Sequence, residues 1–286
     1  MKGILLAGGA GTRLHPITIP ISKQLLPVYD KPMIYYPLST LITCGINDIL
    51  VISTPNDIKL FQNLLSNGSQ WGCNITYKVQ QEPNGIAEAF LIAEDFIGDD
   101  NVSLILGDNI FYFPALSTIS FTNFKSKGAS IFAYHVSDPS RYGVVEFTHK
   151  NKVLSIQEKP INPKSNYAIP GFYFFDNKVI EHAKSLVASD RGELEITDII
   201  LKYHNENSLN VIKMDKGTAW LDTGTVTSLM EAGQFVQVLE NRQGLKVGCV
   251  EEQAYLKKYI DDSQLRQLAS QLHNNYGHYL LSLLDE

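Results

Sequence analysis

The sequence predicts an α/β fold: a Rossmann-like, mixed and mostly parallel sheet flanked by helices, with a helical C-terminal tail. Three observations predict it. Short extended apolar stretches alternate with stretches of helical period, the pattern of βαβ units covered on both faces. A glycine-rich turn, Gly8-Gly9-Ala10-Gly11, follows directly on the first apolar stretch. The stretch "VSLIL" (Val102 to Leu106), apolar throughout as a strand buried on both faces must be, runs into Gly107-Asp108-Asn109.

Taken in order, Lys2 to Ala7 is the first expected strand. Pro32 is expected to open a helix through Cys44, ended by Gly45, with a strand from Asn47 to Ser53 after it. A second helix has Pro55 in its first turn and Ile58, Phe61, Leu64 and Leu65 on one face, and Asn67-Gly68 ends it. Asn74 to Gln80 reads as a strand and Ile86 to Phe96 as a helix. Further strands are expected at "SIFAYHV", "GVVEF", "VLSIQE" and "GFYFF", and helices at Glu195 to His204, Thr227 to Glu240 and Ser263 to Asn274. No low-complexity linker interrupts the chain, so residues 1–245 read as one core and residues 246–286 as a helical segment.

Composition narrows the function classes. With 286 residues, 44% of them hydrophobic, the chain can bury a sizeable core. It has neither the roughly 7–15-residue apolar segment of a signal peptide nor the ~18–20 apolar residues of a membrane span, so a cytoplasmic protein without membrane association is expected. Cys44, Cys73 and Cys249 are too few and too scattered for a disulfide framework or a thiolate metal site, and are expected to be buried thiols. A net charge of −6 without a basic cluster argues against nucleic acid, while phosphorylated small molecules, which need only a few local cations, remain open.

The glycine-rich turn is the first functional candidate. Glycines after a first strand place backbone N–H groups where a polyphosphate can approach without a Cβ in the way, and Arg13 adds a fixed charge. The order Gly8-Gly9-Ala10-Gly11-Thr12-Arg13 is neither the GxGxxG of dinucleotide sites nor the Gly-Lys-Ser/Thr ending of a P-loop. Asp108, just past a buried strand, stands where open α/β sheets bind ligands and is a natural Mg²⁺ ligand, although Asp108-Asn109 and Asp222-Thr223-Gly224 also suit ordinary turns.

The pattern GGAGTRL, a short spacer and SKQLLPVYDKPMIYYPL resembles the sugar-1-phosphate nucleotidyltransferases, and within them the glucose-1-phosphate thymidylyltransferase family. "LGDNIFY", "FAYHVSDPSRYGVVEF", "EKPINPKSNYA", "RGELEITD", "AWLDTGT" and "ENRQGLKV" extend the resemblance over nearly the full chain. It implies a cytoplasmic, Mg²⁺-dependent homotetramer that makes dTDP-glucose and pyrophosphate from dTTP and glucose 1-phosphate, the first step toward dTDP-rhamnose-type deoxysugars. The alternatives are a UTP-preferring enzyme and a catalytically silent nucleotide-sugar sensor. A bifunctional acyltransferase is disfavoured because no hexapeptide repeat follows.

By that resemblance Arg13 clamps the β- and γ-phosphates, Lys23 holds the α-phosphate and the attacking oxygen, and Asp108 with Asp222 holds the metal. The nucleotide site comprises Leu6, Gly8, Gly9, Gly11, Thr12, Arg13, Gln24, Gln80 and Gly85, with Gln80 offering both a donor and an acceptor to a pyrimidine edge. Asn109, Tyr142, Gly143, Glu158, Lys159 and Ile169 line the sugar phosphate. The chain departs from the family pattern in four places. "PNGIAEA" carries Ile86 and Glu88 where PDGLAQA is usual, and Phe113 to Lys127 matches poorly. Ile169-Pro170 replaces valine and threonine, and Lys216 and Thr218 replace an arginine and a tyrosine of a regulatory nucleotide site. Altered feedback control is expected from the last pair.

Overall fold

The structure, a computed structural model, describes residues 1–9, 11–113, 116 and 127–285. Ala10 and most of the poorly matching stretch from Phe113 to Lys127 lie outside the described residues. The first half runs β1 (Lys2–Ala7), a hairpin of β2 (Pro27–Val28) and β3 (Lys31–Pro32), α1 (Tyr35–Thr43), β4 (Asp48–Ser53), α2 (Ile58–Leu65), β5 (Asn74–Val79), α3 (Glu88–Ile92), α4 (Glu94–Ile97), β6 (Val102–Leu106) and β7 (Asn109–Tyr112). The second runs β8 (Ala129–His135), β9 (Gly143–Phe147), β10 (Val153–Glu158), β11 (Tyr167–Ala168), β12 (Phe172–Phe175), α5 (Val179–Lys184), α6 (Ile196–Asn205), β13 (Leu209–Lys213) and β14 (Ala219–Asp222). Helices α7 (Val226–Gln243), α8 (Val250–Leu256), α9 (Asp262–Ser270) and α10 (Asn275–Ser282) close the chain.

The mixed α/β sheet flanked by helices is present. Strands β5, β4, β1 and β6 pair in parallel, and β12 then joins β6 antiparallel and carries the sheet on through β8, β11, β9 and β10. The parallel strands are apolar along their length because both faces are covered. Leu5, Val51 and Ile105 face α1 and the tail helices, while Ile4, Leu50 and Leu104 face Phe90 of α3 and Ile199 of α6. The tail contributes Cys249, Val250, Leu265 and Leu280 to the same core as Leu38, Leu41 and Ile42 of α1. Its apolar side is thus integral to that core. All three cysteines are free and buried, and burial pushes the Cys73 thiol up to about 12 and the other two well above their usual range.

Several boundaries differ from the expectation for local reasons. Pro32 pairs with Pro27 in the hairpin instead of opening a helix, so α1 begins at Tyr35. The stretch expected as one helix from Ile86 is two short ones that meet at Ala93. Asn274, expected to end a helix, instead caps the next: its carboxamide oxygen accepts from the Tyr276 and Gly277 amides and starts α10. Thr225 and Ser228 form a reciprocal capping box at the start of α7. For the site, the informative pairing is β14 with β7, whose register puts Asp222 opposite Asn109 and hence beside Asp108.

Candidate active site

The turn after β1 is built for close approach. Gly9 (φ +98°) and Gly11 (φ +60°) adopt backbone conformations that L side chains rarely take, and Gly11 opens the short 3₁₀ turn Thr12–Leu14. Buried Leu14 anchors that turn from below. Thr18 Oγ1 donates to the Gly11 carbonyl at 2.7 Å and meets His15 Nδ1 at 3.1 Å, tying the turn to the following loop. Arg13 is exposed and has no ion-pair partner among the described residues. Lys23 opens a second 3₁₀ turn and pairs with Asp108.

Two cavities open at the C-terminal edge of the parallel strands, where open α/β sheets bind ligands. One, about 200 Å³, is lined by Leu6, Gly8, Gly9, Gln24, Gln80 and Gly85 of the expected nucleotide site. The other, about 230 Å³, is lined by Arg13, Asn109, Tyr142, Gly143, Glu158, Lys159, Ile169 and Asp222. Both are bounded by Ile86, Leu106 and Asp108, so the aspartate stands where they meet. Lys23 lines a third, adjoining cavity of about 570 Å³ together with Gly9 and Gln80. Gly11 and Thr12 lie on the turn and line none of the three.

The polar groups of the first cavity are fixed by neighbours. Gln24 donates to the Gly8 carbonyl at 3.1 Å and accepts from Ser22 Oγ at 2.7 Å. Gln80 Nε2 donates to Glu88 Oε2 at 2.7 Å and to the Gly85 carbonyl at 3.2 Å. Its two hydrogens are therefore spent within the protein, so the expected donor-and-acceptor pairing by Gln80 reduces to its Oε1 as acceptor. Gly85 is required by contact as well as by its φ of +106°: an added Cβ would lie 2.4 Å from the Leu194 carbonyl oxygen. Leu194 N–H donates to the Asn84 carbonyl and Ala87 N–H to the Leu194 carbonyl, which bolts the "RGELEITD" stretch onto this loop.

The second cavity is governed by ionisable side chains. Asn109, 3% exposed, accepts from Trp220 Nε1 at 2.7 Å and the Gly171 amide at 3.0 Å, and donates to Asp108 Oδ1 at 2.8 Å. One of its amide hydrogens thereby holds Asp108. Burial and the neighbouring charge of Asp108 raise the Asp222 carboxyl above its usual range, against Lys23, Arg141 and the Tyr142 hydroxyl, which stands 3.3 Å away. Tyr142 itself is pushed up to about 12, chiefly by burial, and stays a donor at neutral pH. Glu158 is also raised, by burial first, with Lys159 opposing. Lys159 has an unusual φ of +38° for a side-chain-bearing residue, at the edge of this cavity.

Sequence reasoning singled out neither Thr197 and Trp220, which line this cavity, nor Arg141, 3.4 Å from Asp222. It also missed the Arg191–Glu195 pair, a guanidinium fork at 2.7 Å that leaves Arg191 3.5 Å from Glu158. Their signal was present in "RGELEITD" and "AWLDTGT", which carry Arg191, Glu195, Thr197 and Trp220.

A model of the family "Nucleotidyl transferase" matches residues 2–238, which includes every side chain lining the two cavities. The chain belongs to the nucleotidyl transferase family. A glucose-1-phosphate thymidylyltransferase of Mycolicibacterium smegmatis is 58% identical over 287 aligned positions, covering 100% of this chain and 99% of that one. A Neisseria meningitidis protein of the same name is 53% identical, covering 99% of each chain. The crystal structure of a Bacillus anthracis protein assigned to the same enzyme, in complex with sucrose, superposes with a TM-score of 0.76 at 43% identity, over 82% of this chain and 94% of that chain. A UDP-glucose pyrophosphorylase structure (TM-score 0.73, 22% identity) shares the fold.

Proposed function

We propose that this chain joins dTTP to glucose 1-phosphate, forming dTDP-glucose and pyrophosphate with Mg²⁺ held by Asp108 and Asp222. The supporting observation is the pair of cavities that share Asp108, one glycine-walled beside the phosphate turn and one lined by Glu158, Tyr142 and Lys159. The names of the full-length relatives support the choice of substrates.

The chemistry needs positioning and charge control more than proton transfer. The attacking oxygen of a sugar phosphate is largely ionised at pH 7, with a second pKa of about 6, so no general base is required. That oxygen forms a bond to the α-phosphorus of dTTP as the bond from the α-phosphorus to the bridging β-oxygen breaks, and pyrophosphate leaves with the electron pair. Arg13, a guanidinium at the cavity mouth without an ion-pair partner among the described residues, draws charge toward the leaving group. Lys23, now on Asp108, neutralises the α-phosphate and the incoming oxygen. Glu158 accepts from sugar hydroxyls and Lys159 meets the sugar phosphate.

The donor set suits Mg²⁺. Two neighbouring carboxylates, one of them raised by burial and by the other's charge, would gain from a shared cation. No group of three or more ligating side chains exists among the described residues, and Mg²⁺ commonly takes one or two carboxylates and completes its shell with substrate phosphate and water. When bound it neutralises phosphate charge in the transition state. No described helix is long and apolar enough to cross a membrane. A cytoplasmic homotetramer completes the proposal, supported by the resemblance and by exposed Val226, Met230 and Val238 on α7, and a solution mass near 32 kDa would contradict it.

The test is pyrophosphate release in steady state with glucose 1-phosphate, comparing dTTP with UTP and adding excess chelator. Chelator-sensitive release that favours dTTP supports the proposal. Preference for UTP would overturn the base assignment, and dTTP binding without release would point to a nucleotide-sugar sensor.

A further inference from the structure

Behind the wall of the nucleotide cavity stands a group that the reaction does not explain. Glu88, the first residue of α3, does not line the cavity but holds Gln80, which does, and stands where the family pattern has a neutral amide. One carboxylate oxygen accepts from Gln80 Nε2 at 2.7 Å and the other from Asn84 Nδ2 at 2.9 Å, so both are engaged. Gln80 is 6% exposed, and its second amide hydrogen goes to the Gly85 carbonyl. Its Oε1 accepts no hydrogen bond among the described residues and faces Gly8, where an added Cβ would come within 2.9 Å.

We propose that Glu88 is a specificity-determining residue: its carboxylate fixes the Gln80 amide with the oxygen toward the base, so that the site selects a pyrimidine bearing N3–H. A carboxamide can turn over and exchange its oxygen and nitrogen, and the two orientations are nearly the same in shape. An ionised carboxylate accepts only, as does a peptide carbonyl. With Glu88 on one side and the Gly85 carbonyl on the other, the turned-over amide would set its oxygen against two acceptors and leave its donors without them. A glutamine at position 88 relaxes this constraint, because its own amide can present either a donor or an acceptor to Gln80, leaving only the longer bond to the Gly85 carbonyl to fix the orientation.

The consequence falls on base choice. Thymine and uracil carry a donor at N3, which pairs with Gln80 Oε1. Cytosine carries an acceptor there, which meets the same oxygen with no proton between them. Glu88 therefore acts at one remove, as a positioning residue that makes Gln80 an obligatory acceptor. This inference rests on the proposed nucleotidyl transfer only in assuming that the base lies beside Gln80.

The test is the ratio of kcat/KM for dTTP to that for dCTP in wild type, Glu88→Gln and Glu88→Asp. Loss of the fixed acceptor is expected to lower the ratio at least roughly tenfold in Glu88→Gln, with the change carried by KM. Glu88→Asp, which keeps an acceptor-only group, is expected to retain more of the ratio than Glu88→Gln. A general loosening of the loop would weaken both nucleotides alike, so an unchanged ratio in Glu88→Gln overturns the proposal. If wild type releases no pyrophosphate with dTTP, the reading of the reaction fails, and the same ratio is taken from calorimetric binding of dTTP and dCTP. There, equal loss of both affinities in Glu88→Gln overturns the role of Glu88, and a lowered ratio upholds it.

Discussion

The two cavities on either side of Asp108 use different materials. The nucleotide cavity has Gly8, Gly9 and Gly85 on its walls, and its polar side chains apart from the shared Asp108, namely Gln24, Gln80 and Glu193, are tied to neighbouring groups. The sugar cavity is made of side chains whose charges are set by burial and then by one another: Asp222 by Asp108, and Glu158 by Lys159, Glu195 and Arg191. The difference follows from what each must hold. A polyphosphate is met by N–H groups that cannot change charge, whereas hydroxyls around a ring need acceptors aimed one by one.

The contrast predicts that each half can be damaged separately, and the junction not at all separately. The largest effects are expected at the junction: Asp108→Asn, or Arg13→Ala beside it, should lower kcat by about 10²–10⁴-fold, while dTTP still binds in a calorimeter. Equal losses of binding and turnover would show that these residues only hold substrate. Next come the walls. A Cβ on Gly143 would lie 2.9 Å from Thr197 Cγ2 and 3.4 Å from Glu158 Oε2. Gly143→Ala should therefore raise KM for glucose 1-phosphate by roughly 10–100-fold and leave that for dTTP nearly unchanged, with Gly8→Ala doing the reverse. Parallel changes in both constants would erase the distinction between the halves.

A smaller effect tests the charge setting. Because burial raises the Glu158 carboxyl in the folded state, ionised Glu158 costs stability: its favourable contribution is present at low pH and lost as pH rises through the folded-state pKa. Glu158→Gln should weaken use of glucose 1-phosphate by ~10-fold or more, and its Tm should exceed that of wild type by an amount that grows from about pH 4 to pH 8. A Tm difference that shrinks over that range contradicts the sign. The smallest expected effect lies outside both cavities, at Lys216 and Thr218. If these weaken feedback control, Lys216→Arg with Thr218→Tyr should tighten inhibition by dTDP-rhamnose several-fold, Arg being the better bidentate partner for phosphate.

How legible each half was in the sequence follows from the same contrast. The phosphate turn is local: a strand, three glycines and Arg13 within a dozen residues announce it, and the structure places Gly8 and Gly9 on the cavity wall. The sugar cavity is assembled from β7, β9, β10, β14 and the first turn of α6, and only resemblance brought Tyr142, Glu158 and Ile169 together beforehand. Trp220 and Asp222 depend on the β14–β7 ladder, and a four-residue strand such as "AWLD" has too short a pattern to declare its partner. Arg191 and Glu195 were hidden because an ion pair four residues apart in a loop has no periodicity, although it fixes the charge beside Glu158. Asn109, expected at the sugar, lines that cavity and also holds Asp108, Gly171 and Trp220, contacts that only the ladder register brings within reach. Glu88 stood out as a departure from the family pattern, and its partner Gln80 became visible once the loop had folded back.

The central claim is that two substrates meet across Asp108. Its most direct test is pyrophosphate release from dTTP and glucose 1-phosphate with Mg²⁺ in wild type and Asp108→Asn, with dTTP binding measured on both proteins. Wild type is expected to release pyrophosphate rapidly, and the rate is expected to fall by about 10³-fold in the variant while dTTP binding persists. Wild type that binds dTTP yet releases no pyrophosphate, or a variant that releases it as fast as wild type, would contradict it.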